Sequence, residues 1–259
     1  MRIPIYQIDA FTDQLFQGNP AAVCLLEFWP EDHILQSIAT ENNLSETAFC
    51  LLKNEHYDLR WFTPQAEIDL CGHATLAAAY VIMRYVDSSL KKVFFETKSG
   101  MLSVECENDL IAMDFPARPA IPCQAPSELL NGLGIKPKDV FRARDYMVVY
   151  DNEAIVRGLI PDMRLIEQVD CTGVIVTAPG DTIDFVSRFF APKVGIPEDP
   201  VTGSSHCTLI PYWAERLGKS QLTAAQLSKR GGVLVCENRN ARVKIAGKAV
   251  TYLEGMIHI

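Results

Sequence analysis

The sequence lacks the cysteine and histidine patterns on which most metal and redox sites depend. Its eight cysteines include no closely spaced pair, and its five histidines are dispersed without an HExxH motif. Zinc ribbons and thioredoxin-type sites use close cysteine pairs, so neither class finds support. The sequence therefore predicts no metal site. Most of the cysteines are expected to be small buried apolar residues in a reducing compartment.

The chain also lacks a long apolar segment and a basic cluster. The apolar run at 76–83 is far shorter than the ~18–20 residues of a membrane span, and the N-terminal residues lack the apolar core of a signal peptide. Basic residues number 24 against 32 acidic ones, are scattered, and leave a net charge of −8. Such a distribution does not form a phosphate-backbone footprint. We expect a cytoplasmic protein that binds neither nucleic acid nor membrane.

The composition is that of a folded globular protein, with 48% hydrophobic and 22% charged residues over 259 positions. Four prolines lie within residues 116–126, which is typical of a linker between two domains. We predict an N-terminal lobe over residues 1–115 and a C-terminal lobe over 116–249. Residues 250–259 are a candidate segment for return to the first lobe.

The second half of the chain repeats the first at a nearly fixed offset. Three pairs of positions are separated by 131 residues (161 − 30, 203 − 72 and 231 − 100): two helix-opening prolines, two glycines that precede apolar helical runs, and two turn glycines. Turns are predicted at Glu107-Asn108 and at Glu237-Asn238. The segments Arg60 to Pro64 and Arg188 to Pro192 correspond at an offset of 128, which leaves three extra residues within 194–201. A period this long predicts two similar α/β lobes related by a pseudo-twofold axis, not a solenoid.

If the two lobes face each other, Gly72 and Gly203 begin helices that point their free N–H groups into one cleft. Such helix N-termini bind anions. The sequence has no phosphate loop and no GxSxG motif, so phosphoryl transfer and hydrolysis are disfavoured. Proton transfer at carbon by a carboxylate beside an anion site remains. The candidate titratable groups are Glu46, Glu67, Asp69, Cys71, His73, Glu198, Asp199 and His206.

Four segments taken in order carry a family resemblance that covers nearly the whole chain. The segments are Asp9-Ala10-Phe11-Thr12 with Gly18-Asn19-Pro20-Ala21-Ala22-Val23, Asn43-Leu44-Ser45-Glu46-Thr47-Ala48-Phe49, Cys71-Gly72-His73-Ala74-Thr75, and Glu198-Asp199-Pro200-Val201-Thr202-Gly203-Ser204. Together they resemble the PhzF family of phenazine-biosynthesis-type isomerases. The resemblance implies an α+β, diaminopimelate-epimerase-like fold. Each lobe would be a curved, mostly antiparallel sheet or barrel around a central helix, with the active site between the lobes.

The resemblance also implies roles for residues. Glu46 would be the general acid and base that moves a proton between carbons of a small anionic, carboxylate-bearing metabolite. The family requires no pyridoxal phosphate, metal or nicotinamide, and its members commonly form homodimers. The residues expected to bind and polarise the substrate are His73, Asp199 and Ser204 through their side chains, and Gly72 and Gly203 through their backbone N–H groups.

Two other functions stay open at this point. Related two-cysteine racemases carry a thiol immediately before each of the two glycines, but this chain has Cys71 at the first position and Thr202 at the second. A threonine hydroxyl is too weak an acid to serve as the matching base. A dehydratase or racemase that uses Cys71 alone is therefore one alternative. The other is a non-catalytic metabolite-binding or protein-interaction protein on the same scaffold.

Several residues also have purely structural interpretations. Trp61 and Phe62 are expected in the core. Asp199 before a proline is common in turns, and Ser204 after a glycine is common at a helix cap. The other charged candidates are expected on the surface or in supporting positions: Glu67, Asp69, Glu198 and His206.

Overall fold

A computed structural model describes residues 1–259 and divides them into two compact units. Unit 1 comprises Met1–Asp114 together with Ala246–Ile259, and unit 2 comprises Phe115–Ile245. No helix in the chain combines the length and the apolar character needed to cross a membrane.

Eighteen strands account for most of the regular structure. In chain order they are β1 (Arg2–Ala10), β2 (Asn19–Leu26), β3 (Glu46–Lys53), β4 (His56–Phe62), β5 (Glu67–Ile68), β6 (Lys92–Thr97), β7 (Gly100–Glu107), β8 (Leu110–Pro116), β9 (Ile121–Pro122), β10 (Asp139–Arg142), β11 (Tyr146–Val149), β12 (Val174–Pro179), β13 (Phe185–Ala191), β14 (Ile196–Asp199), β15 (Gln221–Gln226), β16 (Gly232–Arg239), β17 (Arg242–Gly247) and β18 (Ala249–His258).

Six α-helices accompany the strands. They are α1 (Asp32–Asn42), α2 (Gly72–Val81), α3 (Ser127–Leu133), α4 (Glu153–Gly158), α5 (Met163–Ile166) and α6 (Gly203–Leu217). Helix α2 continues as a π-helical turn over Ile82–Val86, and a 3₁₀ turn covers Pro192–Val194.

Unit 1 is built around helix α2. Its sheet has the order β18, β1, β2, β3, β4, β6, β7 and β8, and α2 packs against β1, β2 and β3. Eight of the ten residues of α2 are buried. A helix covered on nearly all sides must lie in a protein interior, which explains its run of alanines and aliphatic residues. Helix α1 buries Leu35 and Ile38 against Cys24 and Phe49.

Unit 2 has the corresponding helix in α6. Its sheet has the order β9, β10, β11, β12, β13, β15 and β16, and α6 packs against β15 and β16. Trp213 of α6 is 1% exposed, and its indole stacks on Phe185 with ring centroids 5.6 Å apart. Helices α3, α4 and α5 contribute Leu129, Val156 and Ile166 to a second apolar cluster.

The internal repeat is confirmed by the pairing pattern inside each unit. In unit 1, β2 and β3 are parallel, β3 and β4 antiparallel, β4 and β6 parallel, and β6 and β7 antiparallel. The same sequence of pairings occurs in unit 2 among β11, β12, β13, β15 and β16. Gly100 and Gly231 both have positive φ, 94° and 68°, as expected for equivalent turn glycines.

One ion pair is also repeated. Arg60 binds Glu67 through two hydrogen bonds of 2.7 and 2.9 Å, and Arg188 binds Glu198 through two of 2.7 and 3.0 Å. Each guanidinium also lies over the aromatic ring two residues further along its strand, 5.1 and 4.9 Å from the centroid. In each unit a bidentate, ring-stacked arginine thus fixes the end of one strand, β4 before Pro64 and β13 before Pro192.

The structure corrects two details of the sequence interpretation and adds one. The turn predicted at Glu237-Asn238 is wrong, because both residues lie within β16 and the chain turns at 240–241 instead. The helix predicted from Pro161 is only four residues long, since Asp162 caps it and it ends after Ile166. The proline-rich segment 116–126 contains the short strand β9.

Gly18 fixes the entry into β2. Its φ is +67°, and a Cβ there would lie 2.1 Å from the carbonyl oxygen of Ala10. Only glycine satisfies both constraints, so the Gly18-Asn19-Pro20 turn is set locally. Asn19 then starts β2 with a side chain that is completely buried.

Candidate active site

Glu46 is the first residue of β3, at the end where this strand runs parallel to β2. It is 7% exposed although it is a carboxylate. Its register partner in β2 is Ala21, which lies two residues after Asn19. Carboxylates are rarely buried without a partner, and this one has a histidine beside it.

His73 supplies that partner from the first turn of α2. Its Nε2 lies 3.0 Å from Oε2 of Glu46, and the two side chains are 6% and 9% exposed. Neither of these two atoms completes a hydrogen bond of good geometry with a protein group. Buried polar atoms are nearly always satisfied, so a pair of incompletely satisfied atoms marks a place where a ligand group fits.

The other ring nitrogen of His73 faces a different set of groups. Its Nδ1 lies 3.2 Å from Nδ2 of Asn19 and 3.5 Å from Sγ of Cys71. The imidazole is therefore held on both sides, by Glu46 at one nitrogen and by Asn19 and Cys71 at the other. The resemblance implied roles for His73 and Glu46 but none for Asn19, although Asn19 lies within one of the matching segments.

The electrostatics of this cluster follow from burial and proximity. Burial lowers the pKa of His73, but Cys71 and the Glu46 carboxylate raise it by more, so the pKa lies well above the ordinary value of 6.5. Burial, with the Glu46 carboxylate nearby, raises the pKa of the Cys71 thiol to about 11. At neutral pH the Cys71 thiol is thus protonated.

Glu46, Cys71 and His73 each offer a metal-ligand atom, and these atoms lie within 4.8 Å of one another. However, the carboxylate approaches Nε2 of the ring, whereas the thiol approaches Nδ1. The lone pairs of the two nitrogens point in diverging directions. The geometry suits an acid–base cluster better than a metal centre.

Both glycine-led helices begin without a side-chain cap. Cys71 and Thr202 occupy the N-cap positions of α2 and α6, and neither side chain accepts a hydrogen bond from its own helix. The N–H groups of the first turn are therefore available to a ligand, and the helix dipole favours a negative one. Gly72 and Gly203 therefore have equivalent positions, each as the first residue of an uncapped helix in its own unit.

In unit 2, Asp199 belongs to a compact polar network. The hydroxyl of Thr202 donates to Oδ2 of Asp199. Gln226, which is 1% exposed, donates from Nε2 to the carbonyl of Asp199 at 2.8 Å and to Oγ1 of Thr202 at 3.1 Å. Its Oε1 accepts from the N–H of Thr202 at 2.8 Å. Gln226 lies in β15 and was not among the residues expected from the sequence.

Ser204 lies beside an arginine that the sequence shortlist omitted. Nη2 of Arg144 donates to Oγ of Ser204 at 3.1 Å and to Oδ2 of Asp145 at 2.8 Å. Asp145 is 4% exposed and also accepts from the N–H of Gly173 at 3.1 Å. The guanidinium is 42% exposed and so presents a positive charge next to Ser204. This charge adds to the anion-binding character of the α6 N-terminus.

His206, expected on the surface or in a supporting position, is completely buried. Its Nδ1–H donates to the carbonyl of Thr202 at 2.8 Å, and Ser205 donates to the same oxygen at 2.8 Å. Burial lowers the pKa of His206 to about 4. It is a neutral residue that anchors the first turn of α6.

The remaining candidates have structural roles or lie at the surface. Glu67 and Glu198 are engaged by the repeated arginines described above, and Asp69 is exposed. Trp61 and Phe62 are buried in the core, as predicted, with 1% and 3% exposure.

Comparison with known proteins identifies the family. The family model described as phenazine biosynthesis-like protein (PhzC-PhzF) matches residues 8–255. The chain belongs to the PhzC-PhzF family. Among its relatives is a Pseudomonas aeruginosa protein named as an uncharacterised isomerase, which is 52% identical over the full length of both chains. The PhzF-like resemblance seen in the sequence is thus confirmed, and the chain is an isomerase of this family.

Solved structures confirm the predicted fold class. A PhzF-family phenazine biosynthesis protein from Enterococcus faecalis matches with a TM-score of 0.98 and 45% identity over 100% of both chains. A predicted epimerase from Pseudomonas aeruginosa matches with a TM-score of 0.74 over 99% of both chains. At 16% identity this second likeness shows the fold alone. The PhzF-like chain therefore has the α+β, epimerase-like fold.

Sequence reasoning missed three polar residues of these two sites. Asn19 stood within a motif but carried no recognisable chemical pattern. Gln226 and Arg144 lie far from any motif along the chain. Their roles depend on strand and helix packing, which brings Asn19 to His73 across 54 residues, Arg144 to Ser204 across 60 and Gln226 to Thr202 across 24.

Proposed function

We propose that this PhzF-family protein is a cofactor-independent isomerase that moves a proton between carbons of a small carboxylate-bearing metabolite, with Glu46 as the general acid and base. The observation that carries the proposal is the buried Glu46–His73 pair, whose facing atoms are 3.0 Å apart and incompletely hydrogen-bonded. Perturbed, buried acid–base pairs with unused hydrogen-bonding capacity concentrate at catalytic sites.

The proton balance of the proposed step is simple. The Glu46 carboxylate takes a proton from a substrate carbon next to a carboxylate or a conjugated system. The electron pair of the broken C–H bond moves into that system, which becomes enolate-like. The same carboxyl group then returns the proton to a different carbon on the same face of the substrate. The His73 ring, whose Nε2 lies 3.0 Å from Oε2 of Glu46, holds the carboxyl group in place for the transfer.

Each unit, taken by itself, has features that favour an anionic ligand. The uncapped N-terminus of α2 at Gly72 and that of α6 at Gly203 provide N–H donors. Ser204 and Arg144 provide a hydroxyl and a positive charge in unit 2. Asp199 is proposed to accept a hydrogen bond from a neutral donor group of the substrate, since a carboxylate repels an anionic one.

The alternative that uses Cys71 as the only thiol base is disfavoured. A thiol with a pKa of about 11 is almost entirely protonated at neutral pH. Glu46 lies in the same cluster, with Oε2 3.0 Å from Nε2 of His73. The homodimer, the cytoplasmic location and the absence of a cofactor stay predictions.

The proposal is tested by solvent deuterium exchange. A panel of small unsaturated and 2-substituted carboxylic acids is incubated with the enzyme in D₂O and followed by proton NMR. At least one acid should incorporate deuterium, and Glu46→Gln should lower the exchange rate by about 10²–10⁴-fold. Glu41→Gln, which changes an exposed residue of α1, should leave it unchanged.

Two results would count against the proposal. Unchanged exchange in a folded Glu46→Gln variant would assign the proton transfer to another group. Tight binding of a carboxylate without exchange or conversion would favour the non-catalytic binding protein instead.

A further inference from the structure

Gln226 has an amide whose orientation is fixed by the backbone. Its Oε1 faces the N–H of Thr202, which can only donate, and its Nε2 faces the carbonyl of Asp199, which can only accept. The two assignments agree, so the amide cannot be flipped without breaking both bonds. With 1% exposure, Gln226 has no solvent to compensate for such a loss.

This fixed amide determines the direction of the Thr202 hydroxyl. The second N–H of the Gln226 side chain points at Oγ1 of Thr202 from 3.1 Å, so the hydroxyl oxygen acts there as an acceptor. A hydroxyl has one proton, which is then free to point elsewhere. It points to Oδ2 of Asp199, the other close polar partner of Oγ1.

The backbone of Thr202 is held from the other side as well. Its carbonyl accepts from Ser205 and from His206, each at 2.8 Å. Both donors are essentially fully buried in the first turn of α6. The peptide that carries the hydroxyl is thus clamped between β15 and α6, and the hydroxyl has little freedom to follow Asp199 if that side chain moves.

We infer that Gln226 and Thr202 are positioning residues that keep the Asp199 carboxylate ionised and in a single orientation for the substrate. This inference rests on the proposed substrate-binding role of Asp199. A hydroxyl donor favours the charged form of a carboxylate, and a donor held in place also fixes the rotamer. The chain of donors runs from Gln226 through Thr202 to Asp199 and lies wholly within unit 2.

The inference gives a physical role to the threonine that stands where two-cysteine racemases have a second thiol. A thiol is a weak hydrogen-bond donor, whereas a hydroxyl is a strong one. Thr202 therefore serves as a donor to Asp199 rather than as a base. The two equivalent N-cap positions thus differ in role: Thr202 donates a hydrogen bond to Asp199, whereas Cys71 lies beside Nδ1 of His73.

The test measures the pH midpoint at which the Asp199 carboxylate titrates. Side-chain carboxyl ¹³C NMR titrations are recorded for the full-length protein, with Asp199→Asn used to assign the signal. Thr202→Val removes the donor at nearly constant volume and should raise the titration midpoint of Asp199 by about one pH unit. Thr202→Ser keeps the hydroxyl and should restore the wild-type midpoint. Thr208→Val, a buried threonine of the same helix, is the matched control and should have no effect.

Gln226→Met provides a second test of the Asp199 titration midpoint if Thr202→Val fails to fold. It removes the amide that orients the hydroxyl, and the midpoint should move in the same direction by a smaller amount. In enzyme assays Thr202→Val should raise KM about tenfold and leave kcat within about threefold, since it weakens substrate binding more than proton transfer.

Outcomes for the two proposals are separable. An Asp199 midpoint that is the same in wild type, Thr202→Val and Gln226→Met would overturn the positioning role, even if Glu46→Gln abolishes exchange. A shifted midpoint that Thr202→Ser restores would support the positioning role. If wild type then catalyses no exchange on any carboxylate, it is the proposed isomerisation that fails.

Discussion

Nε2 of His73 lies 3.0 Å from Oε2 of Glu46, although the two residues are 27 positions apart and belong to a helix start and a strand start. Both side chains are more than nine-tenths buried. A buried ion pair is costly to desolvate, and proteins gain little stability from it compared with an apolar pair. Its presence here at the centre of unit 1 is therefore best explained by chemistry.

Removing one member of this pair should destabilise the protein strongly. We expect His73→Leu to lower the free energy of unfolding by about 3 kcal/mol, because it leaves the Glu46 carboxyl group buried without its histidine partner. The double variant His73→Leu with Glu46→Gln should recover part of that loss. Urea unfolding followed by circular dichroism measures both. Strictly additive effects would show that the two side chains do not interact.

Arg144 should contribute to binding of an anionic substrate. Arg144→Gln removes the charge beside Ser204 and should raise KM for a carboxylate substrate about tenfold, the loss of roughly one charge-assisted hydrogen bond. Arg164→Gln removes an arginine from α5 that is 88% exposed, and it serves as the control. Equal KM values for the two variants would mean that Arg144 does not face the substrate.

Cys71 should be dispensable for proton transfer. With a pKa of about 11, the thiol is deprotonated in only about one molecule in 10⁴ at pH 7. Cys71→Ala should therefore keep the deuterium exchange rate within about threefold of wild type. Cys24→Ala, another buried cysteine of unit 1, controls for the cavity that the substitution creates. A loss of exchange as large as that of Glu46→Gln would instead identify a one-thiol enzyme.

His206 should make the protein less stable in mild acid. Its pKa is about 4 in the folded chain and 6.5 in the unfolded one, so the unfolded chain binds more protons between these values. The stability that His206 contributes is complete above pH 6.5 and is lost as the pH falls toward 4. The loss amounts to about 3 kcal/mol.

The measurement compares the urea midpoint at pH 7.0 and pH 4.5 for wild type, His206→Asn and His33→Asn. His33 is an exposed histidine of α1, and its replacement should leave the pH dependence unchanged. His206→Asn should flatten it. An unaltered pH dependence in His206→Asn would place the acid sensitivity in other groups.

Gly18 should tolerate no side chain. Its φ of +67° and the 2.1 Å approach of a Cβ to the Ala10 carbonyl predict that Gly18→Ala costs at least about 3 kcal/mol of stability. Gly134 has a φ of +71° but open space around its Cβ, so Gly134→Ala should cost only about 1 kcal/mol. Thermal unfolding gives both values. Similar costs for both variants would mean that the β1–β2 turn relaxes around the added methyl group.

Much of the candidate site could be predicted from the sequence, but for different reasons at different positions. Gly72 and Gly203 were found because the repeat places them at equivalent helix starts, and both helices do begin there. Glu46 was named through the family resemblance, since a single carboxylate after a polar loop has no distinctive local pattern. His206 was expected at the surface or in a supporting position; it supports the Thr202 carbonyl, but its complete burial depends on Phe185 and the sheet beneath α6 and could not be read from the sequence.

The sequence by itself determined the repeat, the helix starts at the paired glycines, the turn at Gly18 and the family. These features depend on local conformational preference and on periodic patterns, which are encoded over a few consecutive residues. Only the tertiary structure decided which polar groups meet. Asn19 reaches His73 across 54 residues, and Gln226 reaches Thr202 across 24. Such contacts depend on strand register and helix packing, so no local segment contains them. The same packing decides the electrostatics, because burial raises the pKa of Cys71 and lowers that of His206.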